Sequence, residues 1–291
     1  MIKLSIVIVS FNTQELITNL LKGLEKAIKV CEDQGYRVEL IVIDNHSLDE
    51  SIRLIKNKFK DVKLIQNKTN IGFAAASNQG IQEAKGELIL LLNSDTKVFE
   101  KTLVKAVKFM DQNPSAGAMT CRVELANGKI DPASHRGFPT PWNAFCYFTG
   151  LEKIFGKWRM FGGYHQSWKD LDKTHEIDAC SGAFFLVRKT VIDKIGLLDE
   201  RFFMYAEDLD WAYRMRQAGY KIYYFPKTKI IHYKHQSGIK KLNDKLIKST
   251  TKENFYRTMK LFYDKHYQYK YPQIVRKIVF WGIRMIGRIR G

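Results

Sequence analysis

Only four cysteines and six prolines occur in the 291 residues. Cys31, Cys121, Cys146 and Cys180 lie far apart with no Cys-x-x-Cys spacing, which argues against a disulfide framework or a thiolate zinc site and fits a reducing compartment. Long apolar runs are missing as well, since none reaches the roughly 18 residues that a membrane span needs. The apolar opening Met1–Val9 breaks at Ser10-Phe11-Asn12 without a basic leader or a small-residue cleavage site, so it reads as a first strand and not a signal peptide. No Gly-x-Gly-x-x-Gly follows that strand, and no Gly-x4-Gly-Lys-Ser/Thr occurs anywhere. A dinucleotide cofactor and P-loop phosphate cradling are therefore not expected; a nucleotide bound here needs carboxylates and a metal ion to handle its phosphates. Acid is the scarcer charge: 48 Lys and Arg stand against 30 Asp and Glu, a net +18.

What is present is core material, with 45% hydrophobic and 13% aromatic residues. The run Leu88–Leu92 is unbroken and ends abruptly in Asn93-Ser94-Asp95. Five apolar residues without polar alternation read as a strand buried on both faces, delivering its polar end to a sheet edge. Two earlier strands behave alike: Leu4–Val9 stops at Ser10-Phe11-Asn12-Thr13, and Val38–Ile43 stops at Asp44-Asn45-His46-Ser47-Leu48-Asp49. Helices are predicted over Gln14–Glu32, about Asp49–Phe59 and about Ala74–Ala84, with a short strand at Val62–Gln66. This rhythm predicts right-handed βαβ units and a parallel sheet.

The second half is less regular. A helix over about Thr102–Gln112 and strands at Ala116–Val123 and Lys129–Ile130 are expected. Residues 134–174 form an irregular, aromatic-rich stretch that suits a binding loop or lid. A strand returns near Asp178–Val187, and Tyr220–Phe225 and Thr228–Tyr233 read as two short strands around Pro226, the second ending at His232. A helix over about Asp208–Ala218 opens with acids, for which favourable placement at a helix start is a sufficient explanation. Asp210 and Arg214, four apart, read as a surface ion pair.

Four segments, in order and spacing, are similar to one family: Ser10-Phe11-Asn12, Asp44–Asp49, Asn70-Ile71-Gly72-Phe73-Ala74 with Asn78-Gln79-Gly80, and Leu92-Asn93-Ser94-Asp95. They resemble the nucleotide-sugar-binding half of family 2 inverting glycosyltransferases of the GT-A fold. Ser181-Gly182-Ala183, Phe202–Asp210 and His232 match the acceptor half, and Glu200–Asp208 with Arg136–Pro139 is most similar to bacterial rhamnosyltransferases. The resemblance implies an α/β GT-A fold, a Rossmann-like mostly parallel sheet flanked by helices. It places a catalytic domain at 1–238, with a nucleotide-binding half (1–100) and an acceptor half (101–238), ahead of a basic helical extension at 239–291.

The implied roles follow residue by residue. Asp44 would bond a uracil or thymine imino group. Ser10, Asn12, Asn45, Gly72, Asn78, Asn93 and Asp95 would line the nucleotide sugar. Asp95 and His232 would hold Mn or Mg, although Asn93 stands where the family's motif has an acid. Asp208 would be the base, with Glu207 supporting it, and Trp142, Ser181, Gly182 and Glu207 would meet a glycan or polyprenyl-linked acceptor.

From Lys240 to Gly291, fourteen Lys and Arg stand against three acids, a net +11. On a helix over Gln273–Arg290, Ile274, Ile278, Trp281, Met285 and Ile289 form one stripe, with Lys277, Arg284 and Arg288 expected on the opposite side. That pattern suits an anionic membrane surface; docking on the catalytic domain is the alternative. Location on the cytoplasmic face of the cell membrane follows as the expectation. The charge also fits nucleic-acid binding, but no recognition motif supports that partner, and none is expected. A catalytically impaired sugar-binding relative remains open because of Asn93, and a nucleotidyltransferase would need a second carboxylate near Asp95.

Overall fold

The computed structural model describes residues 1–234 and 244–289, and the side chains of 1–234 and 253–287. The boundary drawn at residue 238 lies outside the described residues.

The first half follows the predicted rhythm: β1 (Leu4–Ser10), α1 (Gln14–Glu32), β2 (Val38–Asp44), α2 (Ser51–Lys58), β3 (Val62–Gln66), α3 (Phe73–Glu83) and β4 (Leu88–Leu92). Then come β5 (Thr96–Val98), α4 (Thr102–Gln112), β6 (Ala116–Leu125), α5 (Pro141–Thr149), α6 (Leu151–Phe155), β7 (His175–Ile177), β8 (Phe184–Arg188), α7 (Lys189–Ile195), α8 (Glu207–Gln217) and β9 (Lys221–His232). Two helices follow, α9 (Asp244–Tyr267) and α10 (Gln273–Ile289).

The described residues form a nine-stranded sheet in the order β3-β2-β1-β4-β8-β6-β9-β5, with β7 also paired to β9. Strands β3, β2, β1 and β4 are mutually parallel, whereas β8 runs antiparallel to both β4 and β6. The unbroken apolar runs have a clear cause. Leu88, Leu90 and Leu92 enter one core with Leu20, Leu24 and Val107, while Ile89 and Leu91 enter a second core with Trp211 and Phe185. A strand buried on both faces gains nothing from polar alternation.

Several expectations are corrected. Lys129–Ile130 forms no strand; Ile130 makes only an isolated bridge to Glu124. The two strands expected around Pro226 are one, β9, whose register against β6 jumps between Phe225 and Lys229 so that Pro226 needs no ladder bond. The aromatic stretch is partly helical, as α5 and α6, with Thr140 capping α5 and Pro141 in its first turn.

Asp210 is not at the surface. Its carboxylate is fully buried and meets Arg214 (2.9 Å), Lys265 (2.6 Å) and His266 (2.7 Å), the last two on α9. Around this knot Phe262, Tyr263 and Tyr267 of α9 enter the second core. Among the described residues no helix is long and apolar enough to cross a membrane.

Candidate active site

Parallel pairing puts the ends of β1, β2 and β4 at one edge, with Ser10 level with Asp44. Strand β9 runs parallel to β6, which brings His232 to that edge opposite Thr96 of β5. Because β8 is antiparallel, its start meets the end of β4, so Ser181-Gly182 lie beside Asn93, whose N–H donates to the Ala183 carbonyl.

The first wall is polar and internally braced. Asn12, in the left-handed region at φ 52°, receives the Leu48 N–H on Oδ1 (2.7 Å), while its own N–H donates to Ser47 Oγ (2.9 Å). Asp44 is fully buried; Oδ1 accepts the Ser47 N–H at 2.8 Å, and Oδ2 has no partner. Ser10 Oγ is engaged with Thr13 Oγ1.

Two of the expected ligand-binding amides are spent on structure. The Asn45 amide donates to Asn70 Oδ1 and the Gly72 carbonyl and accepts from Asn67 and the Ile71 N–H. Asn78 is buried and clamps α3 to the Leu198 backbone and Glu200. Gly72 sits at φ 88°, and a Cβ there would lie 2.6 Å from the Phe203 carbonyl oxygen, so only glycine lets this loop approach the Phe203–Glu207 segment.

Across the edge, His232 stands between two carboxylates. Its Nδ1 donates to Asp131 Oδ2 (2.8 Å) and its Nε2 lies 3.2 Å from Asp95 Oδ1, with the Asn93 amide nitrogen 3.5 Å away. Burial alone would lower the imidazole pKa, but the bonds to Asp131 and Asp95 outweigh it and raise it to about 9. Asp131 is fully buried; His232 and Lys234 overcome that burial and hold its carboxyl well below the usual range. The Asp95–His232 contact, at 3.2 Å, is a hydrogen-bond distance that also leaves the two groups close enough to share one ion. With Nδ1–H fixed on Asp131 and Nε2–H toward Asp95, an ion reaching this ring would have to displace the Nε2 proton. Among the described residues no group of three or more His, Cys, Asp or Glu is arranged to hold a metal.

The third group comes from the start of α8. Tyr205 (φ 73°) and Ala206 (φ 65°) are both left-handed, a conformation costly for non-glycine residues and concentrated at functional sites. That turn delivers Glu207 and Asp208, both nearly buried. Asp208 Oδ2 receives Arg136 Nη2 at 2.8 Å, and Oδ1 accepts the Leu209 N–H at 2.7 Å. Arg136 is held in turn by Tyr164 and by backbone pairing with Ala179. Glu207 Oε2 has no partner; burial first, and the Asp208 charge second, push its pKa up to about 8. Ser181 Oγ is likewise buried and unpaired, and Gly182 lies against the Phe73 ring. The segment leading into α8 reaches the Asn93 side through Phe73, whose N–H donates to the Phe203 carbonyl and whose ring lies beside Gly182. Trp142 is half-exposed on α5, its Nε1 donating to the Met160 carbonyl.

Asp131, Arg136 and Tyr164 were not singled out as site residues. Arg136 stood in a motif without a role. Asp131-Pro132 reads as an ordinary turn, and nothing local pairs it with a histidine a hundred residues on.

A mixed, largely parallel sheet wrapped by helices, with this polar edge, is the GT-A architecture of nucleotide-sugar enzymes. The sequence profile of glycosyl transferase family 2 matches residues 5–196, and the chain belongs to that family. It is 24% identical over 217 residues to an N-acetylglucosaminyl-diphospho-decaprenol L-rhamnosyltransferase of Mycobacterium tuberculosis, covering 69% of this chain and 68% of that one. Identity to the rhamnosyltransferase WbbL of Escherichia coli K12 is 25%, over 80% of this chain and 84% of that one. In fold it is similar to GalNAc-T7, solved with UDP, GalNAc and Mn2+, at a TM-score of 0.57 and 19% identity, covering 80% of this chain and 44% of that one.

Proposed function

We propose that the chain transfers a sugar, with inversion, from a nucleoside diphosphate sugar to a glycan or lipid-linked acceptor during cell-surface polysaccharide synthesis. The rhamnosyltransferases among the relatives favour a rhamnose donor, which we take as dTDP-rhamnose, with UDP-sugars next. The observation that carries this reading is that three of the ten buried side-chain polar atoms without partners among the described residues, Asp44 Oδ2, Ser181 Oγ and Glu207 Oε2, belong to the segments that end at this sheet edge. Leaving such an atom unpaired costs about 1–3 kcal/mol, and sites that bind polar ligands accept that cost.

In this reading Asp44 Oδ2 accepts the imino N–H of the base, and Asn93 bonds a ribose hydroxyl. Asp95 would hold Mn or Mg, joined by His232 once its Nε2 proton is displaced, and the ion would supply positive charge to the departing diphosphate. Asp208 takes the acceptor hydroxyl proton as that oxygen attacks the anomeric carbon from the face opposite the leaving group. Glu207, largely protonated at neutral pH, donates a hydrogen bond to a sugar hydroxyl, so two adjacent carboxyls take different roles. Asn45 and Asn78 serve by bracing the loops. The test is nucleoside diphosphate release from dTDP-rhamnose and a panel of UDP- and GDP-sugars, with a lipid-pyrophosphate saccharide as acceptor. Acceptor-stimulated release from one donor is expected, and no release from any would overturn the assignment.

Asp131 orients the His232 ring. Asp131→Asn is expected to weaken Mn binding about 10–100-fold. Electron spin resonance of free Mn reads that affinity without turnover; an unchanged value would leave Asp131 a folding role only.

We further assign α10 to an anionic membrane on the cytoplasmic side. Phe280 packs on Tyr263 and Ile283 is buried, yet Ile274, Ile278 and Trp281 remain 59–64% exposed. Lys277 and Arg284 are not opposite this row: at four- and three-residue spacing from Trp281 they flank it, also exposed. Ile274→Ser, Ile278→Ser and Trp281→Ser together should move the protein to the soluble fraction while sparing donor hydrolysis. Unchanged membrane association would refute the assignment.

A further inference from the structure

The α5–α6 segment and the loop after it carry a second apolar surface, unrelated to α10. Phe145 (51%), Ile154 (73%), Trp158 (64%) and Met160 (65%) are exposed together with half-exposed Trp142 and Phe155. The aromatic members are contiguous, because Phe161 joins them: its ring centroid lies 6.1 Å from Trp142, 5.4 Å from Phe155 and 6.3 Å from Trp158, and Trp142 stacks on Phe145 at 5.6 Å.

The segment is built and braced from within. Glu152, its one acid, turns inward and accepts both the N–H and Nδ1 of His165. Trp142 Nε1 is satisfied by the Met160 carbonyl, and the Trp158 and Phe161 N–H groups close successive turns. Polar groups are thus consumed on the inner side while large apolar groups stay outside, where a lone soluble protein gains nothing from them. Lys153, Lys157 and Arg159 stand exposed among these side chains, so the outward charge is wholly positive.

We infer that this aromatic, basic surface rests on an anionic lipid bilayer. Indole rings favour the boundary between headgroups and acyl chains, and each cation near a negatively charged surface adds attraction. The positive charge, with no exposed acid in 141–161, selects anionic lipid over a neutral apolar partner. The segment is joined to the catalytic edge through Arg136, which holds Asp208, and through the Asn143 amide, which donates to the Phe138 carbonyl. Resting on the proposal that the acceptor is lipid-linked, the contact would bring the acceptor half against the leaflet in which that lipid is anchored.

The test is flotation of the full chain with vesicles of phosphatidylcholine alone and with about 30% phosphatidylglycerol, α10 left intact. Wild type should float with the anionic vesicles. Ile154→Ser, Trp158→Ser and Met160→Ser combined should lower the partition coefficient at least about tenfold with melting temperature and donor hydrolysis unchanged. Lys153→Glu with Lys157→Glu, which alters only exposed ends, should lower it several-fold and remove the preference for anionic lipid. Wild-type partitioning in both variants would overturn the inference, as would sedimentation showing that the triple variant breaks a dimer and leaves flotation intact. Flotation uses no donor or acceptor. A chain inert toward every sugar donor that still floats through Trp158 would defeat the transferase reading and uphold this one.

Discussion

Asp208→Asn is expected to cut turnover by about 10²–10⁴-fold while leaving nucleotide affinity nearly intact. The isosteric amide keeps a hydrogen-bonding group beside Arg136 and the Leu209 N–H but cannot accept a proton from the attacking hydroxyl. Glu207→Gln separates the two carboxyls. If Glu207 acts as a neutral donor, the amide preserves that bond, and the loss should stay within about tenfold. Its pKa near 8 adds a signature: an ionisation on the alkaline side of the rate profile should disappear in the Gln variant. Steady-state and single-turnover rates across pH 6–9 read both effects. Near-normal turnover in Asp208→Asn combined with collapse in Glu207→Gln would transfer the base to Glu207.

Asp210→Ala is expected to cost about 3–5 kcal/mol of folding stability, a fall in melting temperature on the order of 10 °C. The buried carboxylate pairs with Arg214 and Lys265 and bonds the His266 ring, and its removal leaves Arg214 without a carboxylate partner and Lys265 with Asp199 alone, beside a core that also holds Tyr213 and Phe262. Arg214 in addition donates to the Ile195 and Leu197 carbonyls, so the knot joins α7, α8 and α9. The pH dependence has a definite sign. Burial opposes ionisation of Asp210, yet the bonds from His266 and Lys265 and the Arg214 charge depress its pKa. Its contribution is therefore present above the unfolded value of about 3.9 and disappears as pH falls through the folded value. Denaturant melts of wild type and variant should converge in strong acid; a variant as stable as wild type at neutral pH would contradict the role.

The contrast between Asp208 and Asp210 explains what was legible in the chain. Strands β1, β2 and β4 could be read because burial on both faces writes an unbroken apolar run, and α1 because its inward residues recur at helical spacing. The polar ends of those strands marked the candidate site's edge. Strand β5 left no local trace: three residues become a strand only because β9, more than a hundred residues later, pairs with them. Asp210 and Arg214 look like any helical ion pair until α9 folds over them. Asn45 and Asn78 match ligand-binding positions by motif, yet their amides are consumed by loops and carbonyls distant in sequence. Segments 141–155 lacked a clean period because their apolar residues face outward as well as inward.

The central claim is that Asp44, Asp95, His232 and Asp208, separated by up to 188 positions in the chain, serve one nucleotide-sugar site. Titration calorimetry of dTDP and UDP into the protein, with and without Mn, tests it most directly. Binding should require Mn, fall at least about tenfold in Asp44→Ala and in Asp95→Asn, and remain near wild type in Asp208→Asn. Nucleotide binding that ignores both Mn and the Asp44 and Asp95 substitutions would contradict the account.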